Sequence, residues 1–363
     1  MGHSISYYLN KSGMSAVVVD ESSGSGQATK AAAGMLGVHT ENHIPGKYHE
    51  FCLRSRDLYE ELSKELFDLT AIDIGLSPFG MREVATDERH VDALKSKYAA
   101  FPHLDWMEGD QLRNEITCLS DQVLGALSMK RDGHVEPYKV CEAFKKAALC
   151  YGGSLVEYES VLGIEKVGDY FEIKLKHESI QVKRVVVASG AASGRWFTET
   201  GLTNPMVPTK GECFAIKPRK AFFKEALFFN NFYIVPKPDG RYIIGATSSP
   251  FNVSTDTTAG GISSLMNLAF HVVPDFKQAS LENYWSGVRP GSADGVPIIG
   301  EHPDYSGLYF ATGHYRNGIL LAPSTGQMIK DLMTGQQVDK SIKDMLSPKR
   351  FEPKGGAIYE YSS

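Results

Sequence analysis

"MGHSISYYLNKSGMSAVVVDE", residues 1–21, decides how the rest of the chain is read. Gly2 opens an apolar-periodic helix with Ile5, Tyr8 and Leu9 on one face. Gly13 makes a turn, and residues 16–19 form a short β-branched strand that ends in Asp20 and Glu21. That is the second half of a βαβ unit. A dinucleotide fold carries three glycines after its first strand: two permit a tight turn and backbone approach to the pyrophosphate, and the third lets helix pack on strand. Gly2 stands where the third would be. Asp20 lies close to the position expected for a ribose-binding acid, about 20 residues on. Glu21 competes for that role, because a strand end read from sequence slips easily by one residue. Alone, Gly2 and Asp20 also fit an amphipathic helix followed by a strand with a solvated acid.

The bulk composition narrows the classes. The chain has 363 residues, 42% apolar and 22% charged, enough for two cores. A net charge of −5 and the absence of long Lys/Arg runs argue against a nucleic-acid surface. No apolar run approaches a membrane span, and the N-terminus lacks a secretory signal pattern. Cys52, Cys118, Cys141, Cys150 and Cys213 are odd in number and form no Cys-x-x-Cys pair. They read as reduced, mostly buried thiols of a cytoplasmic protein. No metal-ligand cluster is apparent.

Further along, 47–69 reads as a helix with Tyr48, Phe51, Leu58, Leu62, Leu66 and Leu69 near a 3.6 period. Residues 137–151 form another, with proline in the first turn and Gly152-Gly153 as the stop. "SLVEYESVLGIEKV" (154–167) and "YFEIKLK" (170–176) alternate like antiparallel strands. "RVVVASG" (184–190) has the look of a buried parallel strand. "FYIVPKPDGRYIIGAT" (232–247) is a hairpin turning on Pro238-Asp239-Gly240. Residues 307–333 read as strand, glycine-rich loop and helix. Three of these stretches suit a flat ligand: "ATKAAAGML" (28–36) with Gly34, "VVVASGAASG" (185–194), and "ATGHYRNGILLAP" (311–323) with Gly313 and Gly318. The last ends in a helix N-terminus, whose free N–H groups and partial positive charge would stabilise an anionic reduced flavin ring. Together they look like an FAD site.

With these segments in hand, the sequence resembles the glycine oxidases of bacilli, within the D-amino-acid oxidase superfamily of flavoproteins. The resemblance is carried by "AAAGMLG" (31–37), "DGHVEPYKVCEAFKKAA" (132–148), "VVVASG" (185–190), "KGEC" (210–213), "YIVPKPDGRYIIGAT" (233–247), "YWSGVRPGSADGVPIIG" (284–300) and "GHYRNGILLAP" (313–323). It implies a mixed α/β (α+β) chain: a Rossmann-like FAD-binding domain with an interleaved antiparallel-sheet substrate domain. The first would take residues 1–75, 137–205 and 285–345, the second 76–136 and 206–284, with 346–363 as a C-terminal tail. It implies non-covalent FAD; the cysteine near the chain end that tethers flavin in some sarcosine oxidases has no counterpart after Cys213. The implied reaction is oxidative deamination of glycine, with sarcosine and small D-amino acids as poorer substrates, to glyoxylate, ammonia or an amine, and hydrogen peroxide. Oxygen is the co-substrate. A homotetramer and a hand-off of the imine to thiazole synthase for thiamine synthesis are further implications.

The chemistry asks little of the protein, because the flavin carries the hard step. The substrate carboxylate needs a clamp, and Arg289 offers a planar fork for it. On residues alone, Arg289 could equally pair with Asp294. The resemblance assigns Tyr233 a hydroxyl contact to the same carboxylate and gives Arg316 a substrate-orienting role. His314 reads as a packing or flavin-contact residue, and His134 as structural. For the cofactor, the resemblance carries over Gly2, Asp20, Thr29, Ala33, Gly34, Met35, Val161, Gly190, His314, Tyr315, Arg316, Asn317, Gly318, Ile319 and Leu320. Val161 would offer backbone groups to adenine. Two departures stand out. The family begins with a strand and a Gly-x-Gly-x-x-Gly turn, so roughly 14 residues of that pattern are expected in a longer frame before Met1. The family also commonly places methionine where Ser248 stands, in the substrate pocket. The alternatives are a sarcosine or D-amino-acid oxidase, a dehydrogenase of the same superfamily, or a flavin-free remnant.

Overall fold

The computed structural model describes residues 1–23, 27–229 and 231–353. The first layer holds two small separate sheets, each built on a parallel pair. Strand Val17–Asp20 pairs in parallel with Ser154–Glu157, and Val185–Val187 pairs in parallel with Leu308–Thr312. Ile298–Glu301 adds antiparallel to the latter. Helices Gly2–Lys11, Pro137–Cys150 and Ala322–Thr334 pack on these strands, and Lys47–Thr70 packs on the last two helices. Their apolar stripes meet in one core, where Tyr7, Leu66, Phe144 and Ile329 are buried together. The expected periods therefore do their work: each helix hides one stripe and leaves the rest to solvent.

One expectation fails here. Ser154–Glu157 does not pair antiparallel with the neighbouring strands 161–175 but lies parallel to Val17–Asp20. The strand arrives through the crossover helix Pro137–Cys150, and a strand reached by such a crossover joins in parallel. Val161–Val167 and Tyr170–Leu175 do pair antiparallel.

The second layer is a nine-stranded sheet. Its spine is Met206–Lys217 with Ser280–Ser292 antiparallel along its full length. The hairpin of Phe232–Pro236 and Tyr242–Gly245 forms as expected. The expected boundary at 284/285 falls inside the Ser280–Ser292 strand, so Trp285 and Arg289 belong to this sheet. One junction departs from the antiparallel expectation: Ala226–Phe229 runs parallel to Met81–Ala85. Side chains alternate across the strands. Phe214, Ile216 and Ile244 bury against helix Ala259–Val272, whose Leu265 and Ala269 share their core. Cys213, Tyr233 and Ile243 face the other way, in a cluster that includes Ala33.

Residues 346–353, expected in a tail, are packed. Leu346 is fully buried with the helices, and Arg350 bonds Asp294 Oδ2 at 2.7 Å and the carbonyls of Val296 and Pro297. Residues 354–363 lie outside the described residues. Burial of the thiols is less than expected: Cys52 and Cys213 are buried, Cys118 and Cys141 half-buried, and Cys150 exposed. Among the described residues, no helix is long and apolar enough to cross a membrane.

Candidate active site at the junction of the two layers

Asp20, Gly190 and Gly313 lie at or just beyond the C-terminal ends of three strands of the parallel layer. Ligands of open parallel sheets bind at that edge. Asp20 Oδ1 accepts from Ser22 N at 2.8 Å and Ser22 Oγ at 2.7 Å, which closes the turn after its strand. Glu21 is exposed. Gly190 takes φ +58° and its carbonyl accepts from Thr312 Oγ1 at 3.0 Å, so two of the strand ends are tied. Gly2 starts its helix against the first strand. A Cβ there would lie 3.6 Å from Val18 Cγ1, an ordinary contact, so close packing is a weaker reason for glycine than expected. Val161 opens its strand at a register irregularity and packs beside Val19. Thr29 sits on the short helix Gln27–Ala31.

The 31–36 segment is held by backbone and by the opposite layer. Gly34 has φ +86°, and a Cβ there would fall 2.1 Å from the Val135 carbonyl oxygen. Its own carbonyl accepts from Val135 N at 2.9 Å, and Met35 pairs with His134. Trp285 Nε1 donates to Ala31 O at 3.1 Å. Lys237 Nζ donates to Ala33 O at 2.8 Å and Val135 O at 3.2 Å, and lies 3.0 Å from Glu136 Oε1. The lysine side chain is 1% exposed, and burial lowers its pKa.

The 313–320 segment is pinned by helix Lys47–Thr70. Asn317 Nδ2 donates to Tyr48 Oη at 3.0 Å, Ser55 Oγ to Leu320 O at 2.7 Å, and Tyr59 Oη to Ile319 O at 2.5 Å. His314 is buried, with Nε2 at 3.0 Å from Thr325 Oγ1. Burial pushes its pKa down to about 3, so it is neutral near pH 7. Gly318 follows a 3₁₀ turn, Tyr315–Asn317, and the next helix begins at Ala322.

Above these segments the large sheet presents Arg289, and the 313–320 loop adds a second guanidinium, that of Arg316. Arg289 Nη1 donates to Thr247 O at 3.2 Å, and its guanidinium lies over the Tyr315 ring at 5.8 Å. Gly211 makes room for it: a Cβ there would come within 2.3 Å of Arg289 Nη1. Asp294 is taken by Arg350, so the alternative pairing of Arg289 does not occur. Tyr233 is buried with its hydroxyl 3.3 Å from Cys213 Sγ. Burial raises both their pKa values, while the charges of Arg289 and Arg316 act on both in the opposite direction. Ser248 Oγ is 3.3 Å from Tyr315 Oη. Arg316 Nε lies 2.8 Å from Glu41 Oε1, and its Nη1 donates to Asn231 O at 3.1 Å. Arg316 Nη2 is buried with no hydrogen-bond partner among the described residues. A buried orphan donor of this kind calls for an anionic or polar ligand.

Sequence reasoning missed Glu41, Cys213, Lys237, Trp285 and the helical trio Tyr48, Ser55 and Tyr59. The trio had a signal: polar tips at i, i+7 and i+11 on the buried stripe of an amphipathic helix. Lys237 had none.

Strand ends with glycine turns and an acid, facing a sheet where two arginines meet around Tyr233 and Cys213, fit a dinucleotide-dependent oxidoreductase. Gly190, at φ +58° with nothing within 4 Å of an added Cβ, leaves open backbone at a strand end that fits a flat, acidic cofactor. The chain belongs to the FAD dependent oxidoreductase family, which matches residues 1–332. It is 36% identical over 340 residues to the glycine oxidase of Bacillus subtilis (strain 168), covering 94% of this chain and 92% of that one. A crystal structure of glycine oxidase from Geobacillus kaustophilus superimposes with a TM-score of 0.90 at 34% identity, covering 93% of this chain and 92% of the other. A bifunctional protein ThiO/ThiG of Synechocystis sp. is 32% identical over 330 residues, and the chain spans 48% of its length. The protein is an FAD-dependent amino acid oxidase.

Proposed function

We propose that the chain oxidises glycine, and more slowly sarcosine and small D-amino acids, to an imine that hydrolyses to ammonia or an amine and to glyoxylate, or to the corresponding 2-oxo acid from a D-amino acid, with oxygen reduced to hydrogen peroxide. The observation that carries this reading is Arg289: its side chain bonds one backbone carbonyl, has no carboxylate partner among the described residues, and stands near Tyr233 and Tyr315. FAD, when bound, supplies the hydride acceptor. Arg289 grips the substrate carboxylate with its planar fork, and Tyr233 adds its hydroxyl. Arg316 offers Nη2 to the same small volume. Held this way, the substrate carbon has its orientation fixed before reaction. The amine proton leaves to water, since His314 is buried and already engaged with Thr325. Ala33, Gly34, Met35, Gly190 and residues 314–320 cradle the cofactor, with Gly2 and Asp20 at its pyrophosphate and ribose, Glu21 as the alternative to Asp20, and Thr29 and Val161 near its adenylate end.

The relatives named glycine oxidase support the substrate assignment. The relative named ThiO/ThiG supports a hand-off of the imine to thiazole synthase. The test is a peroxide assay on purified flavoprotein across glycine, sarcosine, D-alanine and L-amino acids. Peroxide should form in step with glyoxylate from glycine. Substrate-dependent flavin reduction without peroxide would make the protein a dehydrogenase instead.

A further inference from the structure

Two arginines meet around Tyr233 and Cys213, yet the charge there does not add up to two. Glu41 closes the short Val38–Glu41 turn and places Oε1 2.8 Å from Arg316 Nε. The two side chains are only 18% and 11% exposed, so solvent screens the pair weakly. Glu41 Oε1 makes no aligned hydrogen bond, so its role is the charge it sets against Arg316. Cys213 and Tyr233 are neutral, since burial raises both their pKa values. His314 is neutral as well. Glu212, which also acts on Cys213, is set against Lys210 at 3.6 Å, so the balance among these groups is one uncompensated positive charge, on Arg289.

The geometry points to Glu41 as a specificity-determining residue that limits the site to amines bearing a single carboxylate. This rests on the reading of Arg289 as the carboxylate clamp. One anionic group neutralises Arg289. A second anionic group on the substrate finds Arg316 Nη2 as a donor, but with the Glu41 carboxylate against the same guanidinium. Repulsion between like charges in a poorly screened site works against it. Replacing Glu41 by an amide keeps the shape and removes that repulsion, so Arg316 becomes a second full cation facing the ligand.

The experiment measures equilibrium binding of acids that cannot be oxidised, acetate and malonate, by perturbation of flavin absorbance in the holoenzyme. In the native protein acetate should bind more tightly than malonate. Glu41→Gln should tighten both acids, and malonate at least tenfold more than acetate. Glu41→Gln/Arg316→Gln should lose the malonate gain. Arg316→Gln alone brings the site to net zero charge and should weaken acetate at least tenfold, which tests the count even where the Glu41 variant folds poorly. A malonate-to-acetate ratio equal in the native protein and Glu41→Gln overturns the inference, as does a double variant that keeps the gain. If neither acid perturbs the native flavin, the clamp reading itself fails with it; a normal clamp with an unchanged ratio removes Glu41 alone.

Discussion

Gly34→Ala is expected to detach the cofactor, and the structure sets the scale. The residue sits at φ +86°, where a Cβ costs about 1–2 kcal/mol. The added carbon would fall 2.1 Å from Val135 O, so the two backbones must part by at least about 1.3 Å to reach ordinary contact. That movement breaks the 2.9 Å bond from Val135 N to Gly34 O, worth about 0.5–1.5 kcal/mol. It also strains the charge-assisted bonds from Lys237, worth about 1.5–3 kcal/mol. The sum is about 3–6 kcal/mol, a large share of the ~5–15 kcal/mol that holds a typical domain. Gly13→Ala is the control: Gly13 has φ +85° and nothing within 4 Å of its Cβ, so it should lose only the conformational part. Urea midpoints of both variants and fluorescence titration of the apoproteins with FAD provide the readouts. Gly34→Ala should lose more stability than Gly13→Ala and bind FAD at least tenfold more weakly. Equal losses in the two variants, with FAD affinity intact, would refute the view that the 33–35 backbone is shaped for the cofactor.

Other expectations are open to direct measurement. Arg289→Ala should raise KM for glycine by about 2–4 kcal/mol of lost binding, roughly 30- to 800-fold, and an unchanged KM would mean the clamp is elsewhere. Ser248→Met should alter the ranking of glycine, sarcosine and D-alanine with flavin content unchanged; loss of flavin would show that Ser248 faces the cofactor rather than the substrate. Buried His134 and His314 are both pushed down to about 3. For His134 the causes are burial and the nearby Lys237 charge. Their folded pKa values lie below the unfolded value near 6.5, so the unfolded chain takes up the protons first as pH falls. Stability should be complete above about pH 6.5 and fall toward pH 3 by about 1.4 kcal/mol per pH unit for each histidine. Chemical-denaturation midpoints against pH should show this slope, and His134→Gln should flatten it by one proton; an unaltered slope argues against His134.

Much of the architecture was legible because local pattern and tertiary role agreed. The stripe of 47–69, the Pro137 helix start, the hairpin at 238–240 and the apolar run at 185–187 each specify an element without reference to distant partners. The order of Asp20, Gly190 and Gly313 marked the C-terminal strand ends of the parallel pairs for the same reason. The strand Ser280–Ser292 is divided wrongly by its local pattern, since nothing in its residues records that it tracks Met206–Lys217 to the end. Ser154–Glu157 alternates well enough for either pairing, and only the crossover decides. Glu41 reads as an ordinary surface acid until Arg316 arrives from 275 positions further along. Lys237, between two prolines of a turn, looks like a solvated cation. Its burial depends on two layers docking, which no local pattern encodes.

The seat of that lysine has a consequence for attempts to recombine this protein with its relatives. Its ammonium is satisfied by two main-chain oxygens, those of residues 33 and 135, beside the Glu136 carboxylate. A change of side chain at 33 or 135 leaves the acceptors in place, whereas a change of the lysine removes their only charged donor among the described residues. A chimera that imports the 232–247 hairpin without a cation at its tip would leave those oxygens stranded in a dry seam, and the graft should fail at assembly rather than in turnover.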